Sequence, residues 1–178
     1  GMGSGMVSDI FIDNNNNYWI GTPGGLAFYN GKSFQNYGNF DGLGGRSSIR
    51  KIGKSPNGQL IVCAGWDWNT YNGHSLYTFN GIDFSPIEHT KFHTQINDFI
   101  FDNNQLIYNT GNRLVIADVN YQQSISPLNS LDKSIPNNVN SIFKNSDGII
   151  FISTWGAGEF SYNDKNIRTF TQVDGHIN

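Results

Sequence analysis

The sequence predicts an all-β fold, a β-propeller of about four four-stranded antiparallel blades, forming a partial ring or half of a ring closed by dimerisation. Three observations carry that prediction. Apolar runs of strand length alternate with Asn-, Asp- and Gly-rich turns, with no helical periodicity between them. A Val/Ile-x-x-Ile/Phe signature recurs at Val7, Ile49, Ile96 and Val139, at spacings of 42, 47 and 43 residues. A period of this size is a mark of repeat architectures, and four strands per period match a propeller blade. A β-sandwich has no need for a matched period.

Each repeat runs through the same order. The signature opens the first strand. A polar turn follows at residues 13–17, 55–58, 102–104 and 145–148. Asn suits such turns because it tolerates left-handed backbone angles. The second run comes next, at residues 18–20, 60–64, 106–108 and 149–152, almost continuously apolar, as a strand covered on both faces reads. A glycine-bearing turn leads to the third run at 26–29, 76–79, 114–117 and 160–162. A weaker fourth strand is marked by Phe34, Phe84, Ile125 and Phe170. The predicted repeats span about 7–47, 48–95, 96–138 and 139–178, and residues 1–6 read as an expression remnant. Trp19 and Phe151, in the second runs, are expected between sheets. No single small sheet is stable alone, so the repeats must stack.

Composition narrows the function classes. The 178 residues carry a net charge of −3, and aromatic residues (14%) are as abundant as charged ones (14%). A nucleic-acid binder would be basic, so no nucleic-acid partner is expected. The lone cysteine, Cys63, lies in an apolar run and reads as a small buried hydrophobe. No run reaches the length of a membrane span, and the first residues lack a signal-peptide core. The sequence holds no Gly-x-Ser-x-Gly elbow, no phosphate loop and no cofactor motif. Gly42-Leu43-Gly44-Gly45 lacks the strand–turn–helix setting of a nucleotide site.

Along a meander, alternate turns fall at opposite ends of the blade. One end collects short solvated turns, and the other carries the features that break the repeat. The second repeat has an insertion, Trp66-Asp67-Trp68-Asn69-Thr70-Tyr71-Asn72-Gly73-His74, where the first has Pro23-Gly24-Gly25. Two Trp residues on a loop need cover, from a fold-over, an oligomer contact or a ligand. The candidate ligand-binding set is Trp66, Asp67, Trp68, Asn69, Tyr71 and His74, with His89 and His93 from a blade connection and Trp155 from a glycine turn. Stacking rings beside a carboxylate suit a glycan or another small polar ligand. His89 and His93 are four apart but lack a helix and a third ligand, so no metal is expected. For Trp155 packing on the next blade is the first reading and ligand contact the second. The acids Asp41, Asp67, Glu88, Asp118 and Asp132 lie on separate loops, and no catalytic residue is assigned.

Residues 13–30, with their Tyr18-Trp19-Ile20-Gly21-Thr22-x-Gly24-Gly25-Leu26 core, resemble the two-component regulator propeller repeat. Ser153-Thr154-Trp155-Gly156-Ala157-Gly158, with Tyr162-Asn163, is similar with one insertion. Asp41-Gly42-Leu43 and Asp174-Gly175-His176 resemble the connection between such blades. The resemblance implies the periplasmic or extracytoplasmic sensor region of a bacterial hybrid two-component regulator, with no enzymatic activity. The chain then reads as a fragment of a longer sensor or as a short relative, reaching a membrane only through flanking segments. A structural or protein-interaction propeller and a propeller lyase or glycan-cleaving enzyme are the competing functions. Apolar faces on the outermost blades predict a homodimer, two four-bladed arcs closing an eight-bladed ring, with a closed four-blade monomer or another oligomer as the alternatives.

Overall fold

The computed structural model describes residues 1, 4–43, 48–65, 75–87, 90, 96–110, 113–118, 120, 124–125, 139–163 and 166–170. They form sixteen strands in four four-stranded antiparallel sheets. Sheet 1 is β1 (Asp9–Ile12), β2 (Tyr18–Thr22), β3 (Gly25–Tyr29) and β4 (Phe34–Tyr37). Sheet 2 is β5 (Ile49–Lys54), β6 (Leu60–Ala64), β7 (Ser75–Phe79) and β8 (Phe84–Pro86). Sheet 3 is β9 (Phe99–Asp102), β10 (Gln105–Thr110), β11 (Arg113–Asp118) and β12 (Ser124–Ile125). Sheet 4 is β13 (Val139–Lys144), β14 (Ile150–Thr154), β15 (Glu159–Asn163) and β16 (Asn166–Phe170). Each is a simple meander, every strand paired to its sequence neighbour. A 3-10 turn lies at Asn39–Asp41.

The turns form as their side chains dictate. Asp13 Oδ1 accepts the Asn15 and Asn17 backbone N–H groups, and its Oδ2 accepts the Asn17 side chain and, at 3.3 Å, the Trp19 indole N–H. Asn16 takes the left-handed conformation this turn requires. Asn145 repeats the device, its side-chain oxygen accepting from Asp147 and Ile149 N–H. The Asp41-Gly42-Leu43 connection is built the same way. Asp41 accepts the Gly38 N–H at 2.7 Å, Gly42 (φ 88°) lies so close to the Phe84 carbonyl that a Cβ would meet it at 2.0 Å, and Leu43 is fully buried.

The chain divides into two compact units, Gly1–Ile96 and Asn97–Asn178. In the first, Trp19, Leu26 and Tyr37 of sheet 1 pack on Ile52, Leu60, Val62 and Phe84 of sheet 2. Trp19 is the centre of an aromatic cluster, with ring centroids 4.6 Å from Phe28, 5.8 Å from Tyr37 and 5.3 Å from Phe79. In the second, Ile107 and Leu114 of sheet 3 pack on Val139, Ile142, Ile150, Ile152 and Phe160 of sheet 4. The same polar lock ties each pair. Asp9 accepts the Ile52 N–H at 2.7 Å, and Asp98 accepts the Ile142 N–H at 2.9 Å together with the Ser141 hydroxyl. Lys144 adds an ion pair with Asp102.

Two expectations need correction. Trp19 is buried as expected, but Phe151 is only half-buried. Phe151 pairs with Phe143 and Ser161 on the face of sheet 4 opposite to the core that holds Ile150 and Ile152. The second runs are also not covered uniformly. β6 is buried throughout, whereas Tyr18 in β2 is 41% exposed, because its face of sheet 1 points away from sheet 2.

Candidate functional site

The site proposed from the sequence depends on the turns between second and third strands. In the first blade this turn is short and clamped. The Thr22 hydroxyl donates to the Gly25 carbonyl at 2.9 Å and accepts the Gly24 N–H. Gly25 sits at φ 132°, where a side chain would strike the Tyr37 carbonyl. The fourth blade keeps the clamp, Thr154 Oγ1 donating to the Gly158 carbonyl at 2.8 Å, but spans one residue more. Trp155 occupies that longer turn.

Trp155 is 74% exposed, so it does not pack on another blade within the described residues. Its indole N–H donates to Asn140 Oδ1 at 3.2 Å. Asn140 lies where the register of β13 against β14 shifts, between Val139 and Ser141, and such a bulge re-aims the side chain at its centre. The ring is therefore held at one edge with its faces open to solvent. Nothing in the sequence singles out Asn140 as this tether, because the bulge arises only when the two strands pair.

Trp66, Asp67, Trp68, Asn69, Tyr71, His74, His89 and His93 lie outside the described residues, as do Glu88 and Asp132. Their roots are described, and they converge in the first unit. Gly65, at φ 116°, ends β6 with its N–H on the Ser48 carbonyl, and Ser75 starts β7. Thr90, fully buried, accepts the Leu76 N–H on its hydroxyl at 3.0 Å and donates that hydroxyl to the Ile87 carbonyl at 2.7 Å. Ile87 N–H in turn donates to the Leu76 carbonyl at 2.7 Å. Leu76 in β7, Ile87 and Thr90 are thus stitched to one another. Thr90 is the residue that sequence reading missed, since its partners are set by tertiary pairing. Trp155 belongs to the second unit.

Among the described residues, titration shifts fall on structural groups. Burial pushes Tyr108 up to about 12, and burial, with the nearby Cys63, raises Tyr77. For Asp13, partial burial raises the carboxyl pKa, but hydrogen bonds from the Asn17 side chain, the Asn17 and Asn15 backbone and Trp19 outweigh it and hold the group below its ordinary value. Asp41 and Asp118 accept local backbone N–H groups. Among the described residues no three His, Cys, Asp or Glu side chains are placed to hold a metal ion, and no helix is long and apolar enough to cross a membrane.

A family model described as "Two component regulator propeller" matches residues 1–24. The first repeat carries that signature. Solved structures share the propeller fold at low identity. The extracellular domain of BT4673 from B. thetaiotaomicron, described as a hybrid two component system, matches with a TM-score of 0.73 at 22% identity, over 95% of this chain and 22% of that one. The extracellular domain of BT3049 from the same organism, described likewise, gives 0.72 at 15%, over 92% of this chain and 23% of that one. Virginiamycin B lyase from Staphylococcus aureus gives 0.62 at 12%, over 90% and 54%. This chain therefore spans under a quarter of the length of the two extracellular domains. No curated protein matches it significantly.

Proposed function

We propose that this chain is a segment of a non-enzymatic, extracytoplasmic sensor propeller that recognises a small polar ligand, a glycan first among the classes to test. The observation that carries the reading is Trp155, 74% exposed yet fixed by its indole bond to Asn140. An exposed ring held in one pose loses little side-chain entropy when a ligand stacks on it, which is how preorganisation raises affinity. The propeller match over 95% of the chain to a bacterial extracellular domain supports the sensor part.

The sequence candidates Trp66, Asp67, Trp68, Asn69, Tyr71, His74, His89 and His93, which lie outside the described residues, extend the proposal as further stacking and hydrogen-bonding groups. Binding loops on a rigid scaffold are the usual place for recognition. With a net charge of −3 and few charged residues, the chain suits a neutral ligand better than a strongly ionic one. A thermal-shift screen against neutral oligosaccharides tests the reading. A shift that Trp155→Ala or the Trp66→Ala/Trp68→Ala pair removes is the expected result. If every shift found survives all of these substitutions, recognition lies elsewhere.

A further inference from the structure

The described residues hold three Asn-Gly pairs, Asn30-Gly31, Asn57-Gly58 and Asn80-Gly81, all exposed in turns. The turns that carry the first and the third are built alike. Asn30-Gly31-Lys32-Ser33 joins β3 to β4, and Asn80-Gly81-Ile82-Asp83 joins β7 to β8. Gly31 (φ 87°) and Gly81 (φ 101°) take the left-handed conformation that favours glycine, so the turn itself selects the pair.

In both turns the asparagine side chain folds along the chain toward its C-terminal side. Asn30 Oδ1 accepts the Lys32 N–H at 3.0 Å and the Ser33 N–H at 2.9 Å. Asn80 Oδ1 accepts the Ile82 and Asp83 N–H groups, each at 2.8 Å. These bonds lay the side-chain carbonyl across the intervening peptide, beside the glycine nitrogen. Among the described residues nothing accepts the N–H of Gly31 or Gly81. A Cβ built on either glycine would meet no atom within 4 Å, so solvent reaches the pair freely. Asn57-Gly58 differs. Gly58 N–H donates to the Ser55 carbonyl at 2.8 Å, and Asn57 Oδ1 accepts from the Ser55 hydroxyl and, at 3.3 Å, from the Gln59 N–H.

We infer that Asn30 and Asn80 are sites of spontaneous deamidation in the folded chain, and that Asn57 is protected. The Gly31 nitrogen, giving its proton to solvent, bonds to Asn30 Cγ. Negative charge develops on Oδ1, where the Lys32 and Ser33 N–H groups already point, as donors do in an oxyanion hole. The Cγ–Nδ2 bond breaks, and the side-chain nitrogen takes up a proton and leaves as ammonia, closing a succinimide ring. Water then opens the ring at either carbonyl. Its oxygen joins the carbon, and a proton returns to the glycine nitrogen. The product is an aspartate, or an isoaspartate whose main chain runs through Cβ. Asn80 reacts in the same way through Gly81. Each event adds a negative charge to a chain of net charge −3. An aspartate keeps its turn, since a carboxylate accepts the same two N–H groups more strongly, whereas an isoaspartate lengthens it.

Peptide mass spectrometry of the folded chain, aged at mildly alkaline pH in heavy-oxygen water, tests this. A parallel sample is aged in guanidinium chloride, where local sequence alone sets the rates. In the folded chain the peptides carrying Asn30 and Asn80 are expected to exchange NH for labelled oxygen, giving both products. The Asn57 peptide should lag at least about tenfold, the kinetic weight of one tied hydrogen bond. In denaturant the three should react within about threefold of one another, because the Gly58 bond is gone. Asn30→Ser and Asn80→Ser, each checked for folding by circular dichroism, should remove their own signal and leave the other's rate unchanged. Asn57 keeping pace in the folded chain overturns the inference. So does a folded chain in which Asn30 and Asn80 stay intact while the denatured one reacts, or a lag at Asn57 that persists in denaturant.

Discussion

The side chain of Ile49 occupies the volume in front of Gly21: a Cβ built on Gly21 would sit 2.6 Å from Ile49 Cγ2 and 3.0 Å from Ile49 Cβ. Glycine is needed there for space, not for backbone freedom. Gly21→Ala is therefore expected to destabilise the first unit by about 1–3 kcal/mol, the usual cost of overpacking. In the Ile49→Ala background the same change should cost far less, since the obstructing group is gone. Urea denaturation of the four proteins of this cycle measures the coupling. Additive effects would mean that sheet 2 shifts away freely.

Trp19 touches three aromatic rings and bonds Asp13, and is 7% exposed. Trp19→Ala should cost roughly 3–5 kcal/mol, as large core truncations do. The equivalent Phe151→Ala should cost much less, since its face of sheet 4 is half open. Denaturant midpoints for the two variants give the comparison, and equal losses would place Phe151 in the core.

Asp98 is 4% exposed and accepts from Ser141, Ile142 and Phe99. Asp98→Ala strands those buried donors and should cost about 3 kcal/mol. Asp9→Ala, at the matching but half-buried place, should cost about 1 kcal/mol. Chemical denaturation ranks the two.

Tyr108 predicts an alkaline limit. Its folded pKa, about 12, lies above the ordinary tyrosine value of 10.0, so the folded state holds the proton more tightly than the unfolded state. The stabilisation is complete below pH 10 and falls away as pH rises toward about 12, by about 2–3 kcal/mol. Tyr37 and Tyr77, raised mainly by burial, act in the same direction. At the acid end Asp13, held below 3.8, contributes stability present above that value and lost as pH falls through its folded pKa. Melting temperatures should thus be flat near neutrality and fall above pH 10, and Tyr108→Phe should flatten part of the alkaline fall.

The fold was legible because one blade is nearly a sentence in sequence: Val7-x-x-Ile10, an Asp13 turn, Trp19, the Thr22 clamp and the Gly42 connection each have a local physical cause. Exposure was not. Trp19 and Phe151 occupy the same place in their blades, and the pattern encodes a face meant for a neighbour whether or not this chain supplies one. The candidate site was legible only as a departure from the repeat. Trp155 stood out as an added turn residue, but its tether Asn140 lies 15 positions away and the anchor Thr90 bonds Leu76 14 positions away. No short-range pattern signals those pairings.

The central claim is recognition of a small polar ligand by exposed aromatic residues, and calorimetric titration of the strongest oligosaccharide from the screen tests it most directly. The native chain should bind with measurable heat. Trp155→Ala or the Trp66→Ala/Trp68→Ala pair should weaken binding at least about tenfold, a loss of about 1.4 kcal/mol, without lowering the melting temperature of the unliganded chain. Undiminished affinity in all of these variants would contradict the account.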